Sequence, residues 1–162
     1  MKRWSIAVLP VLALSAAAFV HPAERTPPPA TVRVRMLQQG TQFKFEPAGI
    51  RINPGDIMEF VNVSGFPHNV QFYPNRIPAG AKDVLNRAMA QRMGDVAGPM
   101  MMQLNQVYRI NFAGAPQGTY DYMCLPHQAL GMKATIIVGQ PGGPGSTIND
   151  GEPTPAQVPA RH

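Results

Sequence analysis

The sequence predicts an all-β fold, a β-sandwich or barrel with one inserted helix, on three observations. Charged residues are only 14% of the 162 residues while Gly (15) and Pro (18) are plentiful, which disfavours long solvated helices and favours short strands joined by turns. About eight segments of strand character, with turn residues between them, lie between Thr31 and Val138. One further segment, and only one, carries helical periodicity. The 44% hydrophobic content excludes a chain that is disordered throughout, and the length suits one domain with extensions rather than a multi-domain oxidase or reductase.

Taken in order, residues 1–20 read as a signal peptide. Lys2 and Arg3 precede the apolar run Trp4–Val20, and Ala16-Ala17-Ala18 supplies the small residues a signal peptidase needs. That run has 17 residues and contains Pro10, the short limit for a span, so the mature chain is expected to have no membrane span and to be periplasmic or secreted. Residues 21–30 hold four prolines and read as a linker. The domain is expected over 31–139. Thr31–Leu37 alternates, with Val32, Val34 and Met36 on one face. Gln42–Phe45 and Ile50–Ile52 are short strand candidates, and Pro54-Gly55-Asp56 is a turn before the strand Ile57–Val63. His68–Phe72, Gln106–Phe112, Thr119–Cys124 and Ala134–Val138 complete the set. Ala81, Val84, Leu85, Ala88 and Met89 recur at helical spacing opposite Lys82, Asp83, Asn86 and Arg87, which predicts an amphipathic helix over 80–93 ended near Gly94. The Gly/Pro/Ser-rich residues 140–162 are expected to form a disordered tail.

Charge and cysteine usage remove whole classes of function. The formal net charge is +5, but the basic residues are scattered, so no nucleic-acid partner is expected. A single cysteine excludes an internal disulfide framework and any zinc site built on two or more thiolates. Asn62-Val63-Ser64 matches a glycosylation acceptor pattern that chance often produces, and nothing else in the sequence argues for glycosylation.

Chemistry gathers in Tyr120-Asp121-Tyr122-Met123-Cys124-Leu125-Pro126-His127-Gln128-Ala129-Leu130-Gly131-Met132, where a thiol, an imidazole and a thioether fall within nine residues. Phe66-Pro67-His68-Asn69-Val70 supplies a second imidazole. Residues two apart in a strand share a face. Cys124 therefore shares one with Tyr120 and Tyr122, His68 with Val70 and Phe72, and Met132 with Ala134, Ile136 and Val138. These apolar companions mark each face as core-facing, so all three segments aim a donor inward or at the rim. A soft thiolate and thioether with two borderline imidazoles suit copper: two His and one Cys with a weak axial Met describe an electron-transfer copper site. Zinc seldom uses Met, and iron–sulfur clusters need more cysteines. A hydrolase using Cys124 as nucleophile and His127 as base would leave His68 and Met132 without a role, so no enzyme activity is expected.

Cys-x-x-His-x-x-x-x-Met, with Pro126 before the His and Gly131 before the Met, resembles the small type 1 blue copper proteins, the cupredoxins, and its loop spacing is most similar to that of the plastocyanins. Pro67-His68-Asn69-Val70, Gly118-Thr119-Tyr120 and the closing Ala134-Thr135-Ile136-Ile137-Val138 strand add to the resemblance, which covers about Thr31 to Gly139 and is absent from Tyr73 to Gln103. It implies a Greek-key β-sandwich holding one copper ion, cycling between Cu(I) and Cu(II), by His68, Cys124, His127 and Met132. The two imidazoles would bind through Nδ1, and Asn69 would brace the cysteine loop. His127 would be the route for electrons. Met123 stands where plastocyanins have a surface tyrosine associated with partner docking, and the basic chain shows no acidic patch. The implied function is a soluble, monomeric one-electron carrier between redox protein partners such as cytochromes or membrane oxidoreductases, bacterial rather than photosynthetic. The alternative is a periplasmic copper-storage or copper-delivery protein using Met89, Met93, Met100, Met101 and Met102 around the insertion as a soft transfer surface; the competing reading of those methionines is core filling under the helix.

Overall fold

Alternation in the sequence becomes burial once the strands pair. The computed structural model describes residues 28–145 and 156–157. Its elements are β1 (Thr31–Gln39), β2 (Gln42–Glu46), β3 (Gly49–Ile52), β4 (Ile57–Asn62), β5 (Gln71–Phe72), α1 (Ala81–Ala88), β6 (Val107–Asn111), β7 (Gly118–Met123), β8 (Lys133–Val138) and β9 (Ala156–Gln157), with a 3-10 turn at Leu125–Leu130. The strands form two sheets, ordered β2-β1-β4-β6 and β5-β7-β8-β3-β9. β1 runs parallel to β4 and β3 parallel to β8, so the chain crosses between layers, and the expected Greek-key sandwich with one short helix is the observed fold.

Val32, Val34 and Met36 turn inward while Thr31, Arg33 and Arg35 face out, as the period of two requires. On the outer face of the first sheet Glu59 lies between Arg33 (2.6 Å) and Arg109 (2.5 Å), and the Arg33 guanidinium, with Arg109 behind it, holds its carboxyl below the usual range. Between the sheets, Phe45, Phe60, Phe72, Phe112, Tyr120 and Tyr122 are fully buried, their rings meeting mostly edge to face at centroid distances from 4.7 to 6.4 Å. Each such side chain contributes about 1.5–3 kcal/mol by leaving water, and edge-to-face contact suits the ring quadrupoles.

Two expectations need correction. The helix ends at Ala88 and does not run on to residue 93. Gly80 enters it at φ 78°, a conformation side chains resist. Met89 leaves it extended, because tertiary partners outcompete another turn. The Tyr108 hydroxyl donates to the Ala90 carbonyl (2.9 Å), and the Asn86 side-chain oxygen accepts the Val96 N–H (2.8 Å), folding 89–96 back on the helix. The strand expected over His68–Phe72 is regular only at Gln71–Phe72. Its backbone bonds instead to the exit of the insertion, through His68 with Met101 (3.1 and 2.7 Å), Gly98 with Val70 (2.8 Å) and Phe72 with Val96 (2.9 Å). β7 is buried on both faces. Its outward Asp121 is bound by Arg76 (2.6 Å) and by the Thr135 hydroxyl (2.9 Å). Residues 1–20 and 21–27, and 146–155 and 158–162 of the expected tail, lie outside the described residues. Gly142 accepts the Thr119 N–H (2.8 Å) and β9 pairs with β3.

Candidate metal centre

The antiparallel pairing of β7 with β8 and with β5 brings the end of β7 to the starts of the other two. Cys124 directly follows β7, Met132 directly precedes β8, and His68 lies shortly before β5. The intervening loop closes on itself. The Cys124 N–H donates to the Met132 carbonyl (3.1 Å), the His127 N–H to the Cys124 carbonyl (3.1 Å) and the Met132 N–H to the His127 carbonyl (3.2 Å). Pro126 starts the 3-10 turn, where its missing N–H costs nothing, and Gly131 ends it at φ 86°.

This folding sets Nδ1 of His127 at 3.4 Å and Nδ1 of His68 at 3.5 Å from the Cys124 sulfur. The three donor atoms all lie within 4.8 Å of one another. Bonds of about 2.0 Å to nitrogen and about 2.3 Å to sulfur, at a near-tetrahedral angle, give about such an N–S separation, so the cluster has the span of ligands to a single ion. Met132 is fully buried in the same apolar cluster as Cys124. The Asn69 side-chain oxygen accepts the Leu125 N–H (2.7 Å) and so ties the cysteine loop to the segment that carries His68.

Electrostatics favour neutral imidazoles. His68 is completely buried, and desolvation, aided by the nearby His127, pulls its pKa down to about 4. Burial lowers that of His127 too. Burial pushes the Cys124 thiol up, opposed by the backbone N–H groups of Asn69 and His127. A sealed thiol with a raised pKa is the reverse of an activated nucleophile, so the geometry gives a hydrolase no support.

The sequence reasoning missed residues that surround these donors. Phe43 on β2 stacks flat on the His127 ring, centroids 3.7 Å apart and planes within 4°. Ser64 places its hydroxyl 2.8 Å from Nε2 of His68. The alternation of Phe43 with Phe45 was the signal for the first; the second had none beyond proximity in sequence.

With this geometry in view the relationships are informative. The model of the copper binding proteins of the plastocyanin/azurin family matches residues 32–139. The chain belongs to that family. It is 32% identical over 142 residues to a plastocyanin of Nostoc punctiforme, covering 85% of this chain and 94% of the relative. It is 35% identical over 107 residues to a plastocyanin of Scenedesmus fuscus, covering 66% and 98%. Among solved structures, a mutant fern plastocyanin superposes with TM-score 0.53 at 26% identity, covering 66% of this chain and 99% of that one. A Sinorhizobium pseudoazurin does so with TM-score 0.51 at 29% identity, covering 69% and 76%. The metal of this plastocyanin/azurin family member is therefore copper, and the soft, buried donor set fits one ion.

The methionines of the insertion divide. Met89 and Met101 are core, 3% and 1% exposed, whereas Met93 and Met102 are 51% and 59% exposed. No helix among the described residues is long and apolar enough to cross a membrane.

Proposed function

We propose that this chain is a one-electron carrier in which His68 and His127 through Nδ1, Cys124 through its thiolate and Met132 through its thioether, as the weak donor, would hold a single copper ion. The bound ion supplies a Cu(II)/Cu(I) couple. The supporting observation is the closure of the cluster: two imidazole nitrogens 3.5 and 3.4 Å from one sulfur, on a loop whose two ends are bonded to each other. Backbone bonds and core packing hold these donors, so they resist rearrangement when the charge of the ion changes. Met132, buried beside Cys124, would supply a fourth donor and so leave no place for a substrate. His68, Cys124 and Met132 are fully buried and His127 is only part-buried, so His127 is the contact through which electrons enter and leave. The partners are redox proteins such as cytochromes or membrane oxidoreductases. The signal-like pattern of residues 1–20 supports exchange in the periplasm or the exterior.

The test is the optical and EPR spectrum of the mature protein loaded with Cu(II). Intense thiolate-to-copper charge-transfer colour is expected, and Cys124→Ser abolishes it. A pale type-2 spectrum from the unaltered protein sinks the reading. Exposed Met93 and Met102 favour copper delivery as the second reading. Handover of Cu(I) to a metal-free acceptor, with sluggish electron exchange, would select it.

A further inference from the structure

Behind His68 lies a chain of hydrogen bonds running through Ser64 to Asn62. The Asn62 side-chain nitrogen donates to the carbonyls of Phe66 (2.7 Å) and Met101 (3.1 Å). The Asn62 side-chain oxygen accepts the backbone N–H groups of Ser64 (3.2 Å) and Gly65 (3.0 Å). Flipping the amide would set its oxygen against two carbonyls and its NH2 against two N–H groups, so one orientation is allowed. That oxygen also lies 3.3 Å from the Ser64 hydroxyl. A carboxamide oxygen can only accept, so the Ser64 hydroxyl is the donor in that contact. The Ser64 oxygen is then an acceptor to everything else. It takes the Phe66 N–H (3.3 Å), and with its own proton turned to Asn62 it would accept the Nε2–H of His68 across 2.8 Å.

We propose that Ser64, oriented by Asn62, is a positioning residue that locks His68 as its Nε2–H tautomer and so keeps the Nδ1 lone pair aimed at the metal position beside the Cys124 sulfur. The inference deepens the copper-site reading and rests on His68 binding through Nδ1. Its chemistry is specific to this arrangement. A neutral imidazole has one proton, and the tautomer that carries it on Nδ1 cannot ligate from that atom without first moving it. A fixed partner on the far nitrogen removes that step and holds the ring plane. Asn62 is fully buried with both ends of its amide engaged, so the Asn62-Val63-Ser64 pattern has a structural reason unrelated to glycosylation.

The experiment is long-range 1H–15N NMR of the metal-free protein with 15N-labelled histidine, followed by copper titration against a chelator of known affinity. In the unaltered protein His68 is expected as the Nε2–H tautomer alone. In Ser64→Ala an Nδ1–H population appears and copper affinity falls about tenfold or more. Ser64→Thr, which keeps the hydroxyl, restores both. An Nδ1–H tautomer in the unaltered protein overturns the proposal by itself, whatever the variants do. So does a Ser64→Ala protein with a pure Nε2–H tautomer and undiminished affinity. A pure Nε2–H tautomer in a protein that gives only a pale Cu(II) spectrum upholds the Ser64 arrangement and sinks the type 1 reading, so the two failures are distinct.

Discussion

His68 and His127 bring the same ring atom to the same sulfur at nearly equal distance, yet the chain holds them by opposite means. His68 is sealed. Its backbone is bonded to Met101, its far nitrogen to Ser64, and its pKa is driven down by loss of water. His127 sits on a short turn, part-buried, with one ring face covered by Phe43 and both loop ends tied. One wall of the site is thus part of the core and the other is part of the surface. A carrier needs both. In the proposed role the buried wall would resist rearrangement when the charge on the metal changes, and the surface wall would let an electron reach a partner. The same contrast says where damage will be tolerated.

Truncation separates the two walls most sharply. His68→Gly removes a fully buried ring and the bond to Ser64 from a packed layer, and should cost the metal-free protein about 2–4 kcal/mol in urea unfolding. His127→Gly opens a groove to solvent and should cost about 1 kcal/mol or less. Added imidazole can reach the second gap but not the first, so it should restore copper colour only to His127→Gly. Equal losses, or rescue of both variants, would refute the division.

Acid gives the next effect. The folded pKa of His68 is about 4, below its ordinary value of 6.5. Between those values the unfolded chain takes up a proton that the folded chain refuses, so stability falls as pH drops through that window and is fully present above it. A shift of this size corresponds to about 3 kcal/mol. His127 is shifted in the same direction by burial and adds to the loss with the same sign. The check is metal-free unfolding free energy at a series of pH values. The acid loss should shrink in His68→Gln, and a loss unchanged in that variant would show that other groups carry it.

Features of the molecule were legible in the sequence to the extent that their causes are local. The ordered run from Cys124 to Met132 is local. Its turn-makers Pro126 and Gly131 act within a few residues, so the loop and its donors were legible. His68 was legible because Pro67 and Asn69 flank it. Val32, Val34 and Met36 declared their face through a period of two. The features that escaped are those decided by partners distant in the chain. Phe43 meets His127 only because β2 lies near the 3-10 turn. The helix stops at Ala88 because Tyr108 binds Ala90 and Val96 returns to bind Asn86, which commits residues 89–96 to a different path. Asp121 and Thr119 are covered by Arg76, Thr135 and Gly142, which lie far from them in the chain. The Ser64 bond is close in sequence, but it depends on an Asn62 amide oriented partly by Met101, across 39 positions.

The smallest effect tests the surface wall directly. Phe43 stacks on His127 at 3.7 Å with planes within 4°, but meets His68 only edge-on at 6.0 Å. Phe43→Leu keeps most of the apolar bulk and removes the ring face. A double-mutant cycle of Phe43→Leu with His127→Gly on metal-free stability should give a coupling of about 0.5–1.5 kcal/mol, the worth of a well-formed aromatic contact beyond its buried area. The parallel cycle with His68→Gly should give a coupling within about 0.5 kcal/mol of zero. If the two couplings are equal, Phe43 is a general cap over the site, and the His127 ring is then held by its turn alone. If only the first is present, the stack supplies to the exposed histidine the orientation that hydrogen bonding supplies to the buried one.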